Sequence, residues 1–206
     1  MKIGFFGDSF CCEIENIDSR THGYQTYLKK LQDFYNAEIV NFGYGGSSVW
    51  DLVLQQFPPF KDALPDVCIF CWTDTGRIYN KNLRNLTYGN VLDQKLKDIK
   101  PSDLIYQDVR TAAKYYFKSL YDPDKHELEY KSLLYYFDHQ VLSEIHNKTK
   151  IVHMWSTENK YQWTYGQQIS TPLVQFVDPK MDRAANHIYG DAANQQVFEL
   201  IKSSLG

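Results

Sequence analysis

Apolar residues gather in five short runs, at Lys2 to Phe6, Glu38 to Phe42, Asp66 to Trp72, Lys150 to Trp155 and Leu173 to Val177, each bounded by polar or turn residues. Several lack strict alternation, as strands buried on both faces of a parallel sheet do. Between the runs the spacing changes to three and four. Tyr24, Tyr27, Leu28, Leu31 and Phe34 to Tyr35 follow it, as do Val49, Leu52, Val53 and Phe57 before Pro58-Pro59 stops the helix. A last helix is expected after Asp191, through Val197, Leu200 and Ile201. Strands alternating with helices predict an α/β three-layer sandwich, α/β/α, with a five-stranded parallel sheet and right-handed crossovers.

The stretch from Thr75 to Thr149 breaks this rhythm, being too long for a βα connection and carrying no strand pattern. It reads as two long helices, about Ser102 to Tyr121 and Asp124 to Asn147, with Asp122-Pro123-Asp124 as turn and cap. The expectation is one domain over residues 1–206, with a helical insertion at about 76–149.

Composition narrows the class. With 43% apolar and 23% charged residues the chain is globular, and its 206 residues suffice for a sizeable core. A net charge of −3 leaves no basic surplus for a nucleic-acid backbone. No run approaches the ~18 apolar residues of a membrane span, and the first residues are too short for a signal-peptide core, so a soluble, unexported protein is expected, of cellular or viral origin. The aromatic share of 16% is high, and much of it lies between Tyr79 and Tyr165, where it would pack helices and line a site or interface. Cys11-Cys12 and Cys68-Ile-Phe-Cys71 form neither a disulfide framework nor a complete zinc motif. Within a strand, Cys68 and Cys71 point to opposite faces as buried thiols.

Three segments carry candidate chemistry. Gly7-Asp8-Ser9-Phe10 ends the first strand, where an open parallel sheet gathers its ligands. A serine there faces a substrate, and its amide is available to an oxyanion. The Gly-x-Ser-x-Gly elbow is excluded, because Cys11 holds the last position. Asn41-Phe42-Gly43-Tyr44-Gly45-Gly46-Ser47-Ser48 leads from the second strand into a helix and aims amides inward, without the lysine or glycine order of the nucleotide loops. Asp182-Arg-Ala-Ala-Asn186-His187 stands just before the last helix and supplies a general base with an acid partner nearby. The other five histidines sit in helical or core-strand contexts with no serine motif beside them.

In this order the three segments resemble the blocks of the SGNH (GDSL-type) hydrolases, whose fold is flavodoxin-like. The matches are Gly7-Asp8-Ser9-Phe10, Asn41-x-Gly43-x-x-Gly46 and His187 ahead of the terminal helix. The resemblance implies Ser9 as nucleophile, His187 as base, and an oxyanion hole from the amides of Ser9 and Gly46. Two positions depart. The family's Gly-x-Asn-Asp is Cys71-Trp72-Thr73-Asp74, so Thr73 replaces the oxyanion-hole asparagine. The acid, three residues before the histidine in the family, is Ala184; Asp182 is the expected substitute, with Asp178 or a plain Ser-His dyad as alternatives. Asp8, Trp72, Asp74 and Arg77 are expected to contact substrate. Implied is hydrolysis of a small acyl ester, such as an O-acetyl group on a carbohydrate, with neither metal nor organic cofactor. Acyl transfer, or a binding module that has lost catalysis, are the alternatives.

Overall fold

The computed structural model describes residues 1–11, 25–80, 86, 91, 104–177, 187–188 and 190–206. The strands are β1 (Lys2–Gly7), β2 (Glu38–Asn41), β3 (Val67–Trp72), β4 (Lys150–Trp155) and a two-residue β5 (Gln167–Gln168). All pair in parallel in the order β2-β1-β3-β4-β5, so the chain moves outward one way from β1 and then the other. The switch point lies at the carboxyl end of β1, immediately before Ser9.

Successive residues of the inner strands feed opposite layers. Ile3, Phe5, Val67, Ile69, Cys71, Val152 and Met154 pack with helix α1 (Tyr27–Tyr35) and the terminal helix, Asp191–Leu205. Phe6, Cys68, Phe70, Trp72, Ile151 and Trp155 face the other layer. That layer holds α2, which is Val49–Asp51 continued by a π-helical stretch Leu52–Gln56. The expected five-stranded parallel sandwich is therefore observed, and burial on both faces is why its strands showed no polar alternation. Cys68 and Cys71 fall in opposite layers as buried free thiols, and burial raises Cys68 to a pKa of about 11.

Both helices of the expected insertion form: α3 (Leu104–Ser119), and α4 (Pro123–Tyr136), prolonged by π-helical Phe137–Leu142 and a last turn Ser143–Ile145. The turn between them is capped as its sequence predicts, with the Asp122 carboxylate accepting from the amides of Asp124 and Lys125. The terminal helix, α5 (Asp191–Leu205), starts where expected. No helix among the described residues is long and apolar enough to cross a membrane.

The fifth strand departs from expectation. Leu173–Phe176 is a 3-10 helix, and the sheet edge is instead Gln167–Gln168 beside Val152 and His153. Pro172 precedes the turn and cannot donate to a ladder, and only Leu173 is buried while Val174 is 47% exposed. Four apolar residues in a run of five do not distinguish a strand from one buried anchor.

His153 on β4 is fully buried. Its Nδ1 accepts from Trp72 Nε1 at 3.0 Å, its Nε2 faces the Tyr165 carbonyl at 2.9 Å, and its ring stacks on Trp163 with centroids 4.1 Å apart. Burial pushes its pKa from 6.5 down to about 3, against the opposing pull of the Tyr165 carbonyl and Asp138. The unfolded chain thus takes up a proton that the folded chain refuses. This contribution is complete above the unfolded value and is lost as pH falls through the window between the two, by up to about 1.4 kcal/mol per pH unit. Urea midpoints measured from pH 7 to pH 4.5 should fall more steeply for the parent protein than for His153→Gln; equal slopes would show that His153 titrates normally.

Candidate active site

The site begins where β1 stops. The backbone of Gly7 is held on both sides by Gln56, whose Oε1 accepts from the Gly7 amide at 2.6 Å and whose Nε2 donates to the Gly7 carbonyl at 2.9 Å. A Cβ at this position would lie 2.4 Å from the Cys71 carbonyl oxygen, so the neighbouring strand admits only glycine. Asp8 follows with no solvent exposure. Its carboxylate accepts from the Phe10 amide at 3.0 Å and from Ser156 Oγ at 2.9 Å, and it pairs with Arg77 at 3.2 Å. Ser9 is thereby presented from a turn closed by the Cys11 amide on the Asp8 carbonyl.

The loop after β2 is locked to the same turn. The Tyr44 amide donates to the Gly7 carbonyl, Gln56 Nε2 to Ser47 Oγ, and Arg77 Nη1 to the Ser47 carbonyl at 2.7 Å. Gly46 has φ of 77°, a left-handed conformation that turns the loop toward helix α2. A reciprocal Ser48–Asp51 capping box then starts that helix. Beyond β3, the Thr73 carbonyl accepts from the Tyr130 hydroxyl at 2.6 Å. Thr73 Oγ1 itself is buried with no hydrogen-bond partner among the described residues.

From the other end of the chain, His187 Nε2 lies 2.9 Å from Ser9 Oγ across 178 residues of sequence. His187 has φ of 58°, and its ring packs on Phe10 with centroids 5.0 Å apart. The contact is braced from α1 and α5. Tyr27 donates its hydroxyl to the Phe10 carbonyl at 2.8 Å and its amide to Asn194 Oδ1 at 2.9 Å. Asn194 Nδ2 in turn holds the carbonyls of Ile188 and Gly190. One side chain of α1 therefore secures the residue after Ser9, and one of α5 the residue after His187.

The expected site residues divide accordingly. Ser9 and His187 meet, and Gly46 and Thr73 stand on the loops that follow β2 and β3. Asp182, Asp178 and Ala184 lie outside the described residues. Asp74 and Arg77 line a cavity of about 490 Å³ between α2 and the α3–α4 hairpin. Asp8 and Trp72, expected to touch substrate, are fully buried and have no surface to offer it. Asp8 is consumed by Arg77 and Ser156, and Trp72 is packed against Trp163 and His153. Sequence reasoning missed Gln56, Tyr27, Asn194 and Ser156. The only signal for Gln56 was an amide inside an apolar helical stretch, and the other three carried none.

Fold and site together define an α/β/α sandwich with a serine–imidazole pair at the switch point of its sheet. The fold is the one the SGNH resemblance implies. No family model and no curated protein matches the sequence. Among solved structures the chain is similar to TesA, at 10% identity over 100% of this chain and 98% of that one, with a TM-score of 0.49. It is similar to the acetyl xylan esterase AlAXEase, at 14% identity over the whole of both chains and a TM-score of 0.44. A third is Axe2, an acetylxylan esterase from Geobacillus stearothermophilus, at 15% identity over 100% of this chain and 94% of that one, with a TM-score of 0.46.

A buried carboxylate and an exposed one should respond differently to removal. Asp8→Ala leaves the mostly buried Arg77 without its partner and should cost about 3–5 kcal/mol of unfolding free energy. Asp74→Ala, at a side chain 52% exposed, should stay within about 0.5 kcal/mol. Urea titration checks both, and equal losses would remove Asp8 from its bracing role.

Proposed function

We propose that the chain is a serine esterase, with Ser9 as nucleophile and His187 as general base. The observation that supports it best is the 2.9 Å contact between His187 Nε2 and Ser9 Oγ, made by residues from opposite ends of the chain. In this reading His187 Nε2 takes the Ser9 proton as Oγ bonds to the ester carbonyl carbon. The amides of Ser9 and Gly46 then hold the oxyanion, while the expected third donor, the Thr73 hydroxyl, is buried out of reach. On collapse, the bond from carbon to the alcohol oxygen breaks and the proton passes from His187 to that oxygen. Water repeats the sequence: His187 removes its proton, its oxygen bonds to the acyl carbon, and Ser9 recovers the proton as the free acid leaves. A carboxylate accepting from Nδ1–H would fix the tautomer, and Asp182 is the proposed partner.

Ser9→Ala and His187→Ala should each lower p-nitrophenyl acetate turnover by about a thousandfold or more, and a fluorophosphonate probe should label Ser9 only when His187 is present. Folded protein that is never labelled would exclude the hydrolase.

A further inference from the structure

The cavity beside the site contains neither Ser9 nor His187, yet it is built onto their supports. At about 490 Å³ it falls within the ~300–1,000 Å³ of small-molecule sites. Of its lining residues, Asp74 follows Thr73 directly, Tyr130 holds the Thr73 carbonyl, and Arg77 binds both Asp8 and the residue after Gly46. Val49 and Tyr130 belong to the α2–α4 layer of the sandwich. His187 reaches Ser9 from the opposite layer, between Phe10 and Ile188, both packed with α1 and α5. A leaving alcohol must lie against His187 to receive its proton. The acyl group, on the other side of the carbonyl carbon, is then directed toward the cavity.

Its walls are aliphatic at Val49, Leu54 and Ile78, and otherwise aromatic or polar. Trp50, 37% exposed, stands with Tyr79, Tyr116 and Tyr130 as a set of aromatic surfaces. Among them are Asp74, Glu129 and His126, whose Nε2 shares a hydrogen bond with the Tyr116 hydroxyl. An alkyl chain would pack on Val49, Leu54 and Ile78 but would strip water from these polar groups and return no hydrogen bond. An acetyl group, the size the sequence resemblance implies, would occupy little of the volume. A carboxylated ring would meet Asp74 and Glu129, while the guanidinium of Arg77 is already committed to Asp8 and Ser47. An aromatic ring with a neutral hydroxyl suits the whole lining, its face and edges on the aromatic and aliphatic side chains and its hydroxyl on a carboxylate or the Tyr116–His126 pair.

We infer that this cavity receives the acyl portion of the ester and that this acyl group is a hydroxylated aromatic ring, of the hydroxybenzoyl or hydroxycinnamoyl type. The inference rests on the reading of Ser9 as nucleophile and His187 as base, and two measurements separate it from that reading. In the first, Ser9→Ala protein, which cannot turn an ester over, is titrated with methyl 4-hydroxycinnamate by isothermal titration calorimetry. Saturable binding is expected below about 1 mM, weakened about tenfold when Trp50→Ala is added.

In the second, kcat/KM of the parent protein is compared for the p-nitrophenyl esters of acetate, octanoate and 4-hydroxycinnamate, each relative to its hydroxide-catalysed rate. The aromatic ester should lead by about tenfold or more, and Trp50→Ala and Tyr116→Phe should each shrink that lead. Absence of saturable binding, or a lead for acetate or octanoate, overturns the inference and leaves the esterase standing. Binding that depends on Trp50, with no turnover of any ester, supports the cavity as an aromatic-ring site and defeats the esterase reading.

Discussion

A carboxylate taken out of water must find its compensating charge and hydrogen bonds inside the fold, and the partners that Asp8 finds come from most of the loops at the carboxyl edge of the sheet. The Phe10 amide belongs to its own turn, Ser156 follows β4, and Arg77 lies in the loop after β3. Through its second nitrogen Arg77 carries the constraint to Ser47, in the loop after β2. Any of these loops could shift alone only by leaving the others with an unpaired buried group. Ser9, the next residue, is held to the register of β1 by the same bonds.

Gln56 repeats the device with neutral groups. By closing on both the amide and the carbonyl of Gly7 it satisfies backbone atoms at the very end of a strand, where the ladder no longer can. Tyr27 and Asn194 do likewise on the opposite layer for Phe10 and Ile188. The serine–histidine contact is therefore framed from both faces of the sheet. A left-handed His187 between a packed ring and a fully buried Ile188 is a conformation that isolated peptide would rarely keep.

The two layers also hold different features: one carries the His187 imidazole, and the other, extended by the α3–α4 hairpin, carries the cavity. The aromatic surplus of the chain is distributed between these duties: Trp72 and Trp163 stack in the core with His153, while Trp50 and Tyr116 face the cavity.

By itself the sequence determined whatever depends on local periodicity and turn chemistry. The four long strands, the helices with the Asp122 cap, the glycines at Gly7 and Gly46, and the order of Ser9 and His187 all follow from side-chain size and spacing within a few residues. Leu173 to Val177 marks the limit of that information, since an apolar run states that burial is needed but not by which backbone. Whether Asp8 and Trp72 meet substrate or core, that Gln56, Tyr27, Asn194 and Ser156 brace the site, and that aromatic residues of the insertion surround a cavity, only the tertiary structure decided. Each of these depends on partners tens of residues away, and burial, charge pairing and hydrogen-bond satisfaction at such distances are properties of the packed chain, not of any segment of it.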